Sequence, residues 1–239
     1  MNLILQMHCP KFSWNDYFTA TSVTTLNSSS YNSRKSYSAT NVYVVNCLFN
    51  SFTSESAGGA LYCTSTCLLV ESSSFFSCKT SSGNGGAIYF YNTGSGECVL
   101  HGVCGYNCNA ASSSHGQFSY IFVVNSPSSK NYINYSSISR CVNENSGAYK
   151  TLRNGNGKIC YQSINASMNR CYYRSVMYCY SYSDSNSFTC SLLYSTFADN
   201  YANEYTCIRF NSGSGSGKYE IKYCNIIRNT QGNLGTWGT

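Results

Sequence analysis

One pattern returns along most of this chain at intervals too long for a helix and too regular for a loop. It can be followed through Phe49, Phe75, Gly105, Ile138, Met168, Phe197 and Ile226, with gaps of 26, 30, 33, 30, 29 and 29 residues. Three residues beyond each stand Phe52, Cys78, Cys108, Cys141, Cys171, Asn200 and Asn229. Five residues before each stand Val44, Val70, Leu100, Ile133, Ser163, Leu192 and Ile221. Two residues before each, the side chains are small: Cys47, Ser73, Val103, Ser136, Ala166, Ser195 and Cys224. A fixed period of this length means a repeat architecture, in which one unit cannot bury its own apolar face and must stack on the next.

Within each copy, apolar residues alternate, and then the interval lengthens by one. That is a strand that bends and continues. The expected fold is all-β: a single-stranded, right-handed parallel β-helix of about seven rungs, stacked at about 4.8 Å. Small residues suit one corner, and Gly58-Gly59 and Gly85-Gly86 supply backbone freedom at another. A third corner varies in length, at residues 63–66, 92–96, 126–130, 153–157, 183–187 and 211–217, and should run along one edge. Return segments such as Ser-Gly-Asn-Gly-Gly cannot form a buried helix, which excludes a leucine-rich repeat. Residues 41–239 are assigned to the solenoid. Residues 1–40 are assigned to an N-terminal cap over the first rung, with Phe12, Trp14, Tyr17 and Phe18 as its anchors.

Composition agrees. Charged residues are only 10% and Pro occurs twice, yet aromatics reach 15%; a disordered chain has the opposite balance. No stretch approaches the roughly 20 apolar residues of a membrane helix. Residues 1–6 are too short and uncharged for a secretion signal.

The motifs Gly58-Gly59-Ala60-Leu61, Gly85-Gly86-Ala87-Ile88 and Phe197-Ala198-Asp199-Asn200 resemble the paired G-G-A-I and F-x-x-N signatures of the polymorphic outer-membrane protein repeats. Similar repeats occur in surface-protein families of parasitic protists. The resemblance covers roughly residues 41–230. It implies a β-helical, adhesin-like surface or extracellular protein that binds a glycan or a partner protein.

Fifteen cysteines need an explanation. In-register side chains point the same way, which disfavours disulfide geometry, and a ladder spreads ligands that a metal would need to converge. The column of Cys78, Cys108, Cys141 and Cys171 is therefore expected as a reduced core stack, with Asn200 and Asn229 continuing it as an amide ladder. No metal or other cofactor is expected. Acidic residues number nine, with no two in one column on adjacent rungs, and His101 and His115 read as isolated. A non-catalytic binding or scaffold module is the expected function. The alternatives are a polysaccharide-processing enzyme of pectate-lyase-like fold, or an intracellular filament component.

Net charge is +6, and eleven of the fifteen basic residues lie at or beyond Lys130. Arg140, Arg170 and Arg228 are expected to share one outward column, with Asp199 between the last two, as a candidate face for an anionic ligand. No specific nucleic-acid partner is expected. Ile221 and Ile226 in the last rung are expected to leave an open end that continues in a longer chain or self-associates end to end.

Overall fold

The computed structural model describes residues 12–38, 41–141, 149–171, 175–181, 189–202, 207–212 and 218–231. The chain winds as a right-handed parallel β-helix with three main sheets. Among the described residues, the first sheet holds eight strands, from Val23–Asn27 to Lys218–Lys222. The second holds eight, from Ser30–Tyr31 to Asn225–Ile227, and the third holds seven, from Lys35–Tyr37 to Ile208–Ser212. The variable corner lies between third-sheet and first-sheet strands at 63–66, 92–96 and 126–130, whereas residues 153–155 fall inside the strand Leu152–Gly155 and residues 183–187 and 213–217 lie outside the described residues.

The corner from first to second sheet is made by backbone geometry plus a hydroxyl. Asn46, Ser72, Tyr135, Ser163 and Tyr194 occupy it with φ between 46° and 54°, a left-handed conformation that turns the chain sharply. The following serine then staples adjacent rungs. Ser73 Oγ donates to its own rung at Glu71 O and accepts from Cys47 N of the rung before. Ser136 and Ser195 repeat the arrangement. Ahead of the third sheet, the second glycine of each pair is sterically required. A Cβ on Gly86 would stand 2.1 Å from the Gln117 carbonyl oxygen. In the next rung Gln117 takes that second position, after Gly116, so His115 precedes the turn and does not replace a glycine in it.

The core is a set of columns. Val44, Val70, Leu100, Ile133, Tyr161, Leu192 and Ile221 pair in register in the first sheet. In the second sheet the column is Phe49, Phe75, Gly105, Ile138, Ala166, Phe197 and Ile226. The fifth copy is thus two residues earlier than its sequence signature suggests: Ala166, not Met168, faces the core, and Tyr161 replaces Ser163. The gaps on either side become 28 and 31 residues. Where Gly105 interrupts the column, the ring of Phe118 fills the space, and a Cβ there would meet Phe118 Cε2 at 2.4 Å.

This shift corrects the cysteine column. Cys78, Cys108 and Cys141 are fully buried free thiols, but the next position is Asn169, not Cys171. Asn169, Asn200 and Asn229 form the amide ladder. Each Oδ1 accepts from the backbone N–H of the residue before it in the ladder, at 2.9–3.0 Å. Cys171 lies two residues on, paired with Ala202, its sulfur 3.3 Å from the Thr151 hydroxyl. A hydrogen bond with Cys108 and burial push the Cys78 thiol up; burial and the Cys108 bond do the same for Cys141. Burial raises Cys171 to about 11. Burial, opposed by a hydrogen bond to Ser74, raises Cys104 as well, but its side chain is reachable. An alkylating reagent at pH 8 is therefore expected to modify exposed Cys104 in the native protein and to spare the buried Cys78, Cys141 and Cys171 until denaturation. Native labelling of Cys141 as fast as Cys104 would contradict the stack.

The N-terminal segment behaves differently from the expected cap. Val23–Asn27 and Ser30–Tyr31 are already solenoid strands, so the first rung begins inside residues 1–40. Residues 12–18 do not sit over the end of the helix. They lie along its flank as a strap, where Trp14 and Phe18 bury against Cys67, Leu69 and Val99 on the outer face of the first sheet. The cause is in the strands: Cys67–Glu71 is buried at every position, an apolar run on both faces that demands a lateral cover. At the other end, Ile221 and Ile226 stand in inward columns yet are 47% and 52% exposed. Residues 232–239, including Trp237, lie outside the described residues.

Candidate recognition face on the third sheet

The expected basic column does not assemble. The left-handed corner after the second sheet holds Arg140, Met168, Asp199 and Arg228 in successive rungs. Arg228 is spent on Asp199, with Nε–Oδ1 at 2.6 Å, and that contact pulls the exposed Asp199 carboxyl below its ordinary value. Arg170 lies two residues further on, in a different sheet, over the Tyr201 ring at 4.9 Å. Arg170 is therefore displaced from the column by the same two-residue shift that moved Cys171, and Arg140 and Arg228 share the corner but stand three rungs apart with Met168 and Asp199 between them. Tyr172, Tyr173 and Tyr182, which neighbour these basic residues in sequence, lie outside the described residues, whereas Tyr180 stands on the third sheet.

A longer array stands on the third sheet. Register places Tyr62, Tyr89, Tyr120, Arg153, Tyr178 and Arg209 in one column over six successive rungs. Their strand neighbours Leu61, Ile88, Leu152 and Met177 point into the core and are fully buried, so strand alternation turns this column outward. The rings of Tyr62 and Tyr89 are stacked 5.1 Å apart and nearly parallel at 2°, and Tyr89 and Tyr120 repeat this at 5.3 Å and 5°. The guanidinium of Arg153 lies 5.1 Å from the Tyr120 ring and 5.9 Å from Tyr178, and Arg209 lies 5.7 Å from Tyr178 on the next rung. Beside it runs a second outward column of Tyr91, Phe122, Gly155 and Tyr180. Gly155 has a steric reason: the Phe122 ring lies across it, and a Cβ would meet Cε1 at 2.3 Å.

Stacking fixes what this face can offer. With ring faces turned to one another, the half-buried Tyr62, Tyr89 and Tyr120 present their edges outward, whereas Tyr178 is buried and its hydroxyl accepts from Asn211 Nδ2 at 2.9 Å. Burial, then the neighbouring Tyr120 and Tyr62 phenols, push Tyr89 up to about 12; burial raises Tyr120, opposed by Arg153. Tyr89 and Tyr120 therefore stay protonated at neutral pH and supply hydrogen-bond donors one rung apart. No Asp or Glu lies in any third-sheet strand, whereas Lys35, Arg153 and Arg209 do. Lys150, at the edge of this sheet, is fully buried with its ammonium 4.2 Å from the Tyr178 ring. The sequence carried a signal for this array: tyrosine follows both Gly-Gly-Ala motifs, as Tyr62 and Tyr89, and recurs at Tyr120 and Tyr178.

The first sheet holds the closest approach to an acid–base pair. Glu71 and His101 face each other on adjacent rungs and are 1% and 0% exposed. Phe12 N–H donates to Glu71 Oε1 at 3.0 Å, Tyr43 hydroxyl donates to Oε2, and Tyr17 hydroxyl lies 2.9 Å from His101 Nδ1. His101 is thus neither isolated nor at the surface: it anchors the strap. Among the described residues, no group of three His, Cys, Asp or Glu is arranged to hold a metal ion, and no helix is long and apolar enough to cross a membrane. No family model, curated protein or solved structure matches the chain.

Proposed function

We propose that the protein is a non-catalytic binding solenoid, adhesin-like in the sense of the surface-protein repeats it resembles, with the outer face of the third sheet as its recognition surface. The observation that carries this reading is the Tyr–Arg column from Tyr62 to Arg209, in register over six rungs and held by stacking of Tyr62, Tyr89 and Tyr120 and by the contacts of Arg153 and Arg209 with the rings beside them. Side chains fixed before binding lose little rotamer freedom on contact, which favours affinity. A catalytic reading would rest on Glu71 and His101. Their polar atoms are instead committed to Phe12, Tyr43 and Tyr17 under the strap.

The test is a panel of immobilised polysaccharides and proteins probed with the native chain, a Tyr89→Ala/Tyr120→Ala double variant, and Tyr194→Ala from another face. Aromatic contacts of about 0.5–1.5 kcal/mol each predict roughly a tenfold or greater loss for the double variant and none for the control. In parallel, incubation should leave the chain length of each bound polysaccharide unchanged. Full retention by the double variant would refute the assigned face, and shortened chains would refute the non-catalytic reading.

A further inference from the structure

We infer that the ligand of this face is a linear, sparsely charged acidic polysaccharide lying along the solenoid axis. The inference rests on the recognition face proposed above and adds to it the chemistry of the occupant. Direction comes from the array itself, one column parallel to the axis in which the hydroxyls of Tyr62, Tyr89 and Tyr120 and then the guanidinium of Arg153 follow one another at about 4.8 Å per rung. A compact ligand would use one or two of these positions. An extended chain of hydroxyl-bearing rings can meet them in succession, giving and accepting hydrogen bonds at the phenol edges.

Charge selects among polymers. Arg153 and Arg209 flank Tyr178 two rungs apart, which is about 10 Å on the rung spacing. Duplex DNA carries a phosphate for about every 1.7 Å of axis, and its binders answer with many cations and a steep salt dependence. Single-stranded nucleic acid is held by bases stacking on open aromatic faces. Here Tyr89 has Tyr62 on one face and Tyr120 on the other, at 5.1 and 5.3 Å, which leaves no space for a base. A chain with acidic groups separated by uncharged sugars fits two arginines among phenols. The absence of Asp and Glu from third-sheet strands fits the sign; the acids nearest in sequence to Tyr178 and Arg209, Asp184 and Glu204, lie outside the described residues.

The experiment measures equilibrium binding of the full chain to hyaluronate, which carries one carboxylate per disaccharide, to dextran as a neutral polymer, and to oligo-dT. Variants are Arg153→Gln, Arg209→Gln, Tyr89→Ala/Tyr120→Ala and Arg140→Gln, each checked by circular dichroism and melting. Should Arg153→Gln fail to fold, Arg209→Gln at the edge strand carries the charge test. Hyaluronate should bind tightest. Each third-sheet substitution should weaken it at least about tenfold, Arg140→Gln should leave it unchanged, and salt should weaken it with a slope reflecting about two charges. Dextran binding as well as hyaluronate, with only the tyrosine variant impaired, would overturn the acidic class while leaving the recognition face standing. Tighter binding of oligo-dT, or hyaluronate binding insensitive to all third-sheet variants, would overturn the inference outright.

Discussion

Replacing Asn200 by Leu is expected to cost about 3–6 kcal/mol, estimated from roughly 1–3 kcal/mol for each buried polar group left without a partner. Asn200 is 1% exposed and is the centre of the amide ladder. Its Oδ1 accepts from the backbone and the side-chain amide of Asn169, at 2.9 and 3.1 Å. Its Nδ2 donates to Ala166 O and to Asn229 Oδ1, at 2.8 and 2.9 Å. Leucine keeps the volume and removes all four bonds, so Asn169 and Ala166 retain buried polar groups with no replacement for them. Asn200→Cys, which extends the thiol stack of Cys78, Cys108 and Cys141, should lose less, because a thiol packs well and accepts weakly. Denaturant titration reads both, with the C-terminal rungs expected to melt first in a solenoid of nearest-neighbour units. Equal stability of Asn200→Leu and the native protein would show that the ladder is not buried.

Phe75→Ala should be about as damaging, at roughly 3–5 kcal/mol for a buried phenylalanine truncated without collapse of its site. The Phe75 ring stacks on Phe49 at 4.8 Å and 1°, and meets Phe118 edge-on at 5.9 Å. Phe118 in turn occupies the gap over Gly105. Removing Phe75 therefore opens a cavity between two rings that are each wedged by their own rung. A thermal melt lowered by several degrees, with native far-ultraviolet signal retained below the transition, is the expected outcome. An unchanged melt would mean that neighbouring rungs close the space.

The solenoid was legible because its constraints repeat. Val44, Val70, Leu100, Ile133 and Leu192 must all be apolar to share one core, so a single sequence shows the column. The fifth rung was misplaced where the repeat is volumetrically unusual. Its second-sheet residue is Ala166, too small to mark the position, while Tyr161 supplies the bulk on the first sheet. Met168 followed by Cys171 imitates the pattern two residues late, and both the basic column and the fourth cysteine inherited that error. The Tyr–Arg face escaped notice for a related reason. Outward positions carry no packing constraint, so Tyr62, Tyr89 and Tyr120 read as ordinary strand residues until register stacks them on one another and brings Tyr120 against Arg153. The strap could not be read from periodicity at all. It depends on Leu69 and Val99 being apolar on a face that a freely exposed strand would leave polar, and on Glu71 and His101 meeting residues far away in sequence.

Whether the third sheet is the recognition face is tested most directly by hydroxyl-radical footprinting of the protein with and without saturating hyaluronate. The account predicts protection of Tyr89, Tyr91 and Tyr120, with the exposed Tyr194 and Tyr223 oxidised equally in both samples. Protection of Tyr194 and Tyr223 with unchanged oxidation of Tyr89, Tyr91 and Tyr120 would place the ligand on the opposite corner and contradict it.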